Sequence, residues 1–318
     1  VEASVGQEGA TTVSAHTLYE IVRKLPDGAQ IQLTLGSDER RLELTAGRSQ
    51  FWLPCLPAGD FPVMAGGDLD HRFTIPPADL VRLIDQTKFA ISTEETRYYL
   101  NGIHMHPRAS GDTPALRAVA TDGHRLARVE CALPDGAEEM PAIIVPRKTV
   151  IEVRRLVDDV EEPIQVSVSD AKIRFTFANT VLTSKLIDGT FPDYARVIPD
   201  NNDKVLHVDG RDFAQAVDRV ATISTEKSRA VKLMLEDGRV VLTVSNPESG
   251  SASEELSVDY TADAIEIGFN SRYLLDVMGQ IDRSTAKFTF ADSGSPTVIS
   301  NSDDKNLSSL YVLMPMRV

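Results

Sequence analysis

The feature that most constrains the fold of this chain is an order of elements that repeats. From about residue 72 to 199 the pattern runs helix, strands, helix, strands, and from about residue 200 to the C-terminus it runs the same way again. Five segments have helical spacing: residues 15–25, 77–89, 147–157, 210–223 and 270–283. The segment 77–89 corresponds to 210–223, and 147–157 corresponds to 270–283 and, earlier in the chain, to 15–25. A short echo closes the first two blocks, Leu56-Pro57-Ala58-Gly59-Asp60-Phe61-Pro62 against Leu186-Ile187-Asp188-Gly189-Thr190-Phe191-Pro192. The reading is three copies of one domain, at residues 1–70, 71–199 and 200–318. The first copy lacks its opening helix and strands, so the chain, which starts at Val1 without an initiator Met, is expected to begin inside a domain. Blocks of this length imply a symmetric assembly of domains rather than a solenoid, whose repeats are far shorter.

Between the helices, apolar residues alternate with polar ones at the period of a half-buried strand. Ile31, Leu33 and Leu35 do so, as do Ile164, Val166 and Val168, then Ile173, Phe175 and Phe177. Val240, Leu242 and Val244 follow Asp237-Gly238, a hairpin signal because both positions tolerate positive φ. Short strands joined by turns favour antiparallel sheets over βαβ crossovers, so the expected class is α+β. The helices are amphipathic. Phe213, Val217 and Val220 share one face, with Arg211, Gln215 and Arg219 away from it. Val150, Val153 and Val157 can pack on a sheet while Lys148 and Arg155 project outward.

Charge divides along the same lines. The 318 residues hold 33 Lys+Arg and 47 Asp+Glu, a formal net charge of −14. The five helical segments carry 12 Lys+Arg against 8 Asp+Glu, a net of +4, which leaves −18 on the rest. An acidic chain that keeps basic charge on recurring helices suits a polyanion held near those helices and nowhere else. The overall charge argues against indiscriminate adhesion to nucleic acid, which needs many neutralised phosphates. No apolar run reaches membrane-spanning length, no secretory signal is recognisable, and Cys55 and Cys131 make no disulfide framework, so a reducing cytoplasm is the expected compartment.

Two segments could carry chemistry. Thr121-Asp122-Gly123-His124-Arg125-Leu126-Ala127 contains a turn at Asp122-Gly123 that allows close approach by a partner. An Asp and a His two apart also suit acid–base work or a metal, but no second His or Cys stands at ligand spacing, and no phosphate loop or nucleophile elbow is present. At the C-terminus, Tyr311-Val312-Leu313-Met314-Pro315-Met316-Arg317-Val318 places Val312, Met314 and Met316 on one side of an extended chain, with Pro315 confining it to an edge. Flexible thioethers there pack a core or form an adaptable peptide-binding surface.

With these segments, Arg97-Tyr98-Tyr99-Leu100-Asn101-Gly102 and Phe191-Pro192-Asp193-Tyr194, the whole chain resembles the β subunits of bacterial DNA polymerase III, the sliding-clamp family. The resemblance implies a non-catalytic DNA-replication processivity factor with no cofactor, metal or catalytic residue. It further implies a head-to-tail homodimer ring, helices inside and sheets outside, around non-specifically bound duplex DNA. Implied partners are the polymerase α subunit, the clamp loader, repair polymerases and mismatch-repair proteins, held by short linear peptides between the second and third domains. The implied peptide-binding residues are Leu100, Thr121, Gly123, His124, Arg125, Leu126, Pro192, Arg196, Val197, Asn270, Tyr273, Met314, Pro315, Met316 and Arg317.

For DNA the resemblance points to Arg147, Lys148, Tyr98 and Tyr99, and helix position adds Arg23, Lys24, Arg82, Lys88, Arg154, Arg211 and Arg272. The implied dimer contact joins Arg41, Arg48, Phe51 and Leu53 of the first domain to Ile223, Glu248 and Glu254 of the third. The chain departs from the family pattern at Glu94, Ser228, Gly294 and Pro296. Two other readings stay open: an enzyme using Asp122 and His124 with a metal, and a peptide-binding scaffold without a DNA function.

Overall fold

The computed structural model describes residues 3–37, 40–62, 69–108, 113–177, 179–224, 229–281, 284–304 and 308–317; Ser228 and the Arg283 end of the last helical segment lie outside them. The chain divides into two units, Val1–Gly67 and Asp68–Val318.

The second unit contains the same ten-element arrangement twice. In the first copy, a sheet of four strands runs in the order Ile143–Pro146, Gly102–Arg108, Ala115–Thr121, Arg125–Ala132, and a second in the order Thr180–Lys185, Lys172–Phe177, Ile164–Val168, His71–Ile75. In the second copy the corresponding orders are Ile265–Asn270, Ala230–Glu236, Arg239–Asn246, Gly250–Ser257, and Ser309–Leu313, Thr297–Asn301, Thr285–Phe290, Lys204–Asp209, the last of these also pairing with the short strand Asp259–Tyr260. All pairings are antiparallel. The two copies share one nine-stranded sheet, because the edge strand Arg125–Ala132 of the first pairs with the edge strand Ser309–Leu313 of the second, Arg125 opposite Leu313 and Val129 opposite Ser309. An edge that would otherwise present unpaired amides is thereby closed.

Helices α1 (Ala15–Val22), α2 (Pro77–Asp85), α3 (Arg147–Leu156), α4 (Gly210–Ala221) and α5 (Ser271–Met278) fall in the five expected segments and end earlier than the sequence pattern does. In α2 the apolar spacing continues past Asp85 into a separate 3-10 turn, Lys88–Ala90, so periodicity outlasted the hydrogen-bond ladder. Side-chain caps start three of them, from Ser14, Asp209 and Asn270, and Pro77 at the first turn pre-sets φ for α2. Phe213, Val217 and Val220 are buried on α4, where Phe213 meets Phe288 at 5.2 Å between ring centroids, and Val150 and Val153 are buried on α3, with Val157 buried at its C-cap. The alternating triplets at 164–168, 173–177 and 240–244 all point into the core, and Gly238 takes the positive φ (73°) expected of its hairpin.

The first unit repeats the second half of this arrangement. A strand (Thr11–Thr12) leads into α1, and a three-stranded meander follows, Gln32–Leu35, Arg41–Ala46, Ser49–Pro54, cored by Leu42, Leu44, Ala46 and Leu53. Ile31 and Leu33, expected to be half-buried, are exposed here (40% and 55%), and α1 buries no residue.

Each copy closes by one device. The residue three before the second helix pairs with the end of the block: Thr12 with Leu56, Ile144 with Ile187 through Ile187 N–H to Ile144 O (3.0 Å), and Gly268 with Met316 through Met316 N–H to Gly268 O (2.9 Å). The echo at 56–62 and 186–192 thus marks a repeated backbone pairing, and the C-terminal methionines occupy its third instance.

Candidate functional site

Where the shared sheet ends, three segments converge. The first is the turn between strands Ala115–Thr121 and Arg125–Ala132. Asp122 Oδ1 accepts from the N–H groups of His124 (2.9 Å) and Arg125 (3.0 Å), and Thr121 Oγ1 accepts from Gly123 N–H (3.1 Å) while donating to Arg125 O (2.7 Å). This local bonding is why Thr-Asp-Gly forms the turn. Gly123 sits at φ 90°, and a Cβ built there would lie 2.6 Å from Arg97 Nη1. Arg97 grips Glu94 through Nε and Nη2 at 2.8 and 2.7 Å, so Glu94 neutralises it; their side-chain hydrogen bond holds the exposed Glu94 carboxyl below its ordinary pKa. Gly123→Ala is therefore expected to cost about 1–2 kcal/mol from left-handed backbone strain, read as a lower midpoint in urea, with Arg97 displaced from Glu94.

The second segment is the C-terminal strand, whose continuation lies along this turn: Met314 N–H donates to His124 O at 2.9 Å. Met314 is 42% exposed, and Pro315 and Met316 are half-buried. The third is the loop from Phe191 to Val197, ending in the 3-10 turn Tyr194–Val197, where Pro192, Arg196 and Val197 are exposed. Beneath all three lies a separate apolar cluster of Leu100, Val119, Leu126, Ile144, Phe191, Leu310 and Val312. Leu126 of the turn, Val312 of the C-terminal strand and Phe191 of the loop belong to this one cluster, so the three segments share an apolar underside.

The residues expected to bind peptides stand in different capacities. Leu100 and Leu126, each 3% exposed, shape the floor from below rather than standing at the surface. Asn270 caps α5, its Oδ1 accepting from Arg272 N–H at 3.0 Å. Arg125 is fully engaged: Nε bonds Asp122 (3.1 Å), Nη1 bonds Asp276, Nη2 bonds Phe89 O (2.7 Å), and the guanidinium lies over the rings of Tyr273 (4.3 Å) and Phe89 (5.1 Å). It joins the two copies and holds Tyr273, whose ring stacks near His124 at 6.3 Å. Asp122 is consumed by the turn, and among the described residues no group of three His, Cys, Asp or Glu is placed to hold a metal ion. Arg196 is 84% exposed at its side chain and pairs with Asp193 at 2.8 Å; Arg317 is exposed.

The basic set separates in the same way. Arg147 and Lys148 open α3, are exposed, and make no ion pair among the described residues. Tyr98 is exposed beside Tyr99, edge to face at 5.8 Å. Arg211 and Arg272 are exposed at the starts of α4 and α5. By contrast Arg82 donates to Glu130 O (2.5 Å) and Ser308 Oγ, Arg154 is held by Asp85 and Asp158, and Lys88 pairs with Asp85. Arg23 and Lys24 are exposed but share Glu20 (3.1 and 3.3 Å).

Of the expected dimer residues, Arg41, Arg48 and Glu248 are exposed and Phe51 and Ile223 half-buried. Leu53 is 6% exposed: strand alternation turns it into the core, and the neighbour that stands outward is Trp52, 59% exposed. Glu254 is taken by Arg219, at 3.0 Å to Nε. Absent from the sequence expectations is a polar cluster on one face of the first copy's sheet, His104, His106, Arg117, Arg128 and Glu130 with Tyr194. Its signal was present, as His104, His106 and Arg108 alternate along one strand.

Comparison with known proteins decides the family. Models of the DNA polymerase III beta subunit match along the chain, the N-terminal domain at residues 1–65, the central domain at 74–193 and the C-terminal domain at 195–317. The chain belongs to the DNA polymerase III beta-subunit family. It is 56% identical to the beta sliding clamp of Caulobacter vibrioides over 316 residues, covering 99% of this chain and 84% of that one, and 40% identical to that of Escherichia coli over 314 residues, covering 98% and 83%. Among solved structures, the sliding clamp of Bartonella birtlesii bound to griselimycin superimposes with a TM-score of 0.95 at 48% identity, covering 100% of this chain and 84% of that chain. The Caulobacter crescentus clamp with PEG bound to its putative beta-motif tethering region gives 0.94 at 57%, covering 97% and 81%. The three-domain clamp architecture, the DNA-replication role of a sliding clamp and the non-catalytic nature of the subunit follow from this membership. Among the described residues no helix is long and apolar enough to cross a membrane.

Proposed function

We propose that this clamp encircles duplex DNA as a head-to-tail homodimer ring in the cytoplasm and tethers its partners through the surface between the turn at Asp122-Gly123, the Phe191–Val197 loop and the C-terminal methionines. The observation that carries the tethering half is this convergence. A backbone hydrogen bond ties Met314 to His124, and Leu126, Val312 and Phe191, from segments far apart in sequence, share one apolar floor, while Met314, Pro192 and Val197 are exposed. Short peptides of the polymerase α subunit, the clamp loader, repair polymerases and mismatch-repair proteins are the proposed occupants. Griselimycin, bound by the Bartonella birtlesii clamp, is expected to compete with them. The proposed ring contact sets Arg41, Arg48 and Phe51 of one protomer against Ile223, Glu248 and Glu254 of the next, with Leu53 supporting the strand from inside; an apolar centre with opposite charges around it suits such a contact.

Light scattering with a nicked circular duplex tests the ring. A dimer retained on the circle and released when the DNA is cut supports it, and a monomer or a complex indifferent to DNA ends overturns it. Topological retention lets phosphate contacts be few and weak, which permits sliding. Arg147 and Lys148, side by side at the start of α3, both stand clear of ion pairs among the described residues. Replacing both by Gln is expected to reduce the slope of log affinity against log salt by about 2 on a short duplex, at about 0.9 per phosphate contact, with peptide affinity unchanged. An unchanged slope would remove α3 from the DNA-facing surface.

A further inference from the structure

The loop that walls the groove is held from behind by a polar device the tethering role does not by itself require. Tyr194 opens the 3-10 turn Tyr194–Val197, and its hydroxyl lies between two side chains of the sheet, 2.7 Å from Arg117 Nη1 and 2.8 Å from His106 Nε2. Arg117 and His106 stand directly opposite each other on neighbouring strands, so the sheet register itself makes this two-pronged seat. A guanidinium can only donate, so the Tyr194 oxygen accepts from Arg117 and its one proton goes to His106 Nε2. His106 Nδ1 lies 2.9 Å from Pro107 O, which can only accept, so that nitrogen carries the ring proton. Both constraints give the same state: neutral His106, protonated at Nδ1 and accepting at Nε2. Three residues earlier, Phe191 lies face to face with His104, at 4.6 Å and 8°. These two anchors, one stacked and one hydrogen-bonded, hold the loop whose other side carries Pro192, Arg196 and Val197.

We propose that the Tyr194 hydroxyl, seated between Arg117 and His106, positions the Pro192–Val197 wall of the groove, and that a proton on His106 Nε2 unseats it. This rests on reading that surface as the peptide groove. A protonated Nε2 would confront the hydroxyl with two donors and leave its own proton without a partner. It would also place a second cation beside Arg117. The charged surroundings resist this proton. On the same strand are neutral His104 and Arg108; on the next are Arg117 and, beyond it, Arg128 and Glu130; from the loop come Tyr194 and Asp193. Glu130 is the one carboxylate within the sheet cluster, bonded by Arg117 (2.7 Å) and Arg108 (3.2 Å), with Arg128 at 3.9 Å. Solvent nevertheless reaches the imidazole, because an open cleft of about 470 Å³ runs past both histidines, Phe191, Pro192 and Tyr194.

The direction of the pH effect follows. Burial holds His106 below its ordinary value of 6.5, with Arg117 adding to the effect, and burial together with His106 takes His104 down to about 4. Release of the loop parts the Tyr194 hydroxyl from His106 Nε2 and lets that imidazole return toward its ordinary value, so the released state binds the His106 proton more readily. The seat is complete above about pH 6.5 and weakens as pH falls below it.

The test is affinity for a fluorescein-labelled short peptide ending in Leu-Phe, measured by anisotropy between pH 7.5 and 5.5 on the full chain. Wild-type affinity is expected to fall about five-fold on acidification, the worth of one hydrogen bond. Tyr194→Phe should be about five-fold weaker at pH 7.5 and much flatter with pH. His106→Gln, whose amide oxygen can still accept from Tyr194, should retain the pH 7.5 affinity and lose the pH dependence. Superimposable wild-type and Tyr194→Phe profiles overturn the proposal, and so does a pH dependence that survives in His106→Gln, which would move the titration to His104. If no peptide binds at any pH, the groove reading fails, and the seat is judged by hydrogen-exchange protection of residues 193–198. Protection lost at pH 5.5 in wild type but not in His106→Gln supports it; equal loss in both overturns it.

Discussion

Arg125→Ala is expected to lower the stability of the Asp68–Val318 unit by about 3 kcal/mol, a fall of roughly 6–12 °C in melting temperature. The side chain is 9% exposed and binds three acceptors on three elements: Asp122 in the turn, Asp276 on α5 and the Phe89 carbonyl after α2. Removing it leaves two carboxylates and a carbonyl facing a void between Phe89 and Tyr273. The cost comes mainly from stranding those acceptors, not from losing the attraction itself. Asp276 is 31% exposed and can rehydrate, which places the estimate at the lower end of the range for a broken buried pair. Lys at this position should recover less than half, since an ammonium cannot bond three divergent acceptors while stacking on two rings. Urea denaturation of Arg125→Ala, Asp276→Asn and the double variant isolates the pair. A loss below about 1 kcal/mol in Arg125→Ala would mean the contact is worth no more than a surface ion pair.

Truncation after Leu313 is expected to reduce affinity for the Leu-Phe peptide at least about 100-fold, close to 2.7 kcal/mol. The fold should survive, because the buried strand Ser309–Leu313 and its pairing with Arg125–Ala132 remain. What is lost is the rim: Met314, 42% exposed, and the two backbone bonds that hold it, Met314 to His124 and Met316 to Gly268, worth about 1–3 kcal/mol of stability together. Isothermal titration with the peptide reads the first effect and thermal unfolding the second. Affinity kept within a few-fold would place the peptide elsewhere. Met314→Ala alone, leaving the backbone bonds intact, should show a smaller loss in the same direction.

Both effects concern residues whose identity the sequence made conspicuous and whose function it did not define. The Thr121–Ala127 and C-terminal segments were legible as unusual because Gly, Pro and Met break the local pattern there. That the Arg125 side chain would be spent on structure was not legible, because Asp276 and Phe89 are distant in sequence and single-chain patterning carries no pairing information. Leu53 shows the opposite case: the family resemblance set it at the dimer contact, whereas alternation along its strand turns it into the core and leaves Trp52 outward. The basic helices illustrate the limit of charge counting. Arg147 and Lys148 stand clear, while Arg82 and Arg154, on equally basic helices, are bound by Glu130 O, Asp85 and Asp158.

The sequence by itself determined where the five helices fall, the inward face of three strands, the number of copies and the order within each, since burial on one face of a helix or strand leaves its imprint every three to four or every two residues. It also marked where the first two copies close, through the echo at 56–62 and 186–192. Tertiary structure alone decided which edge strands join, that Met314 lies against His124, and that Tyr194 sits between Arg117 and His106. Those outcomes depend on hydrogen bonds and ion pairs between residues tens to hundreds of positions apart. Such bonds exist only once the sheets have set their register, and they leave no periodic trace along the chain.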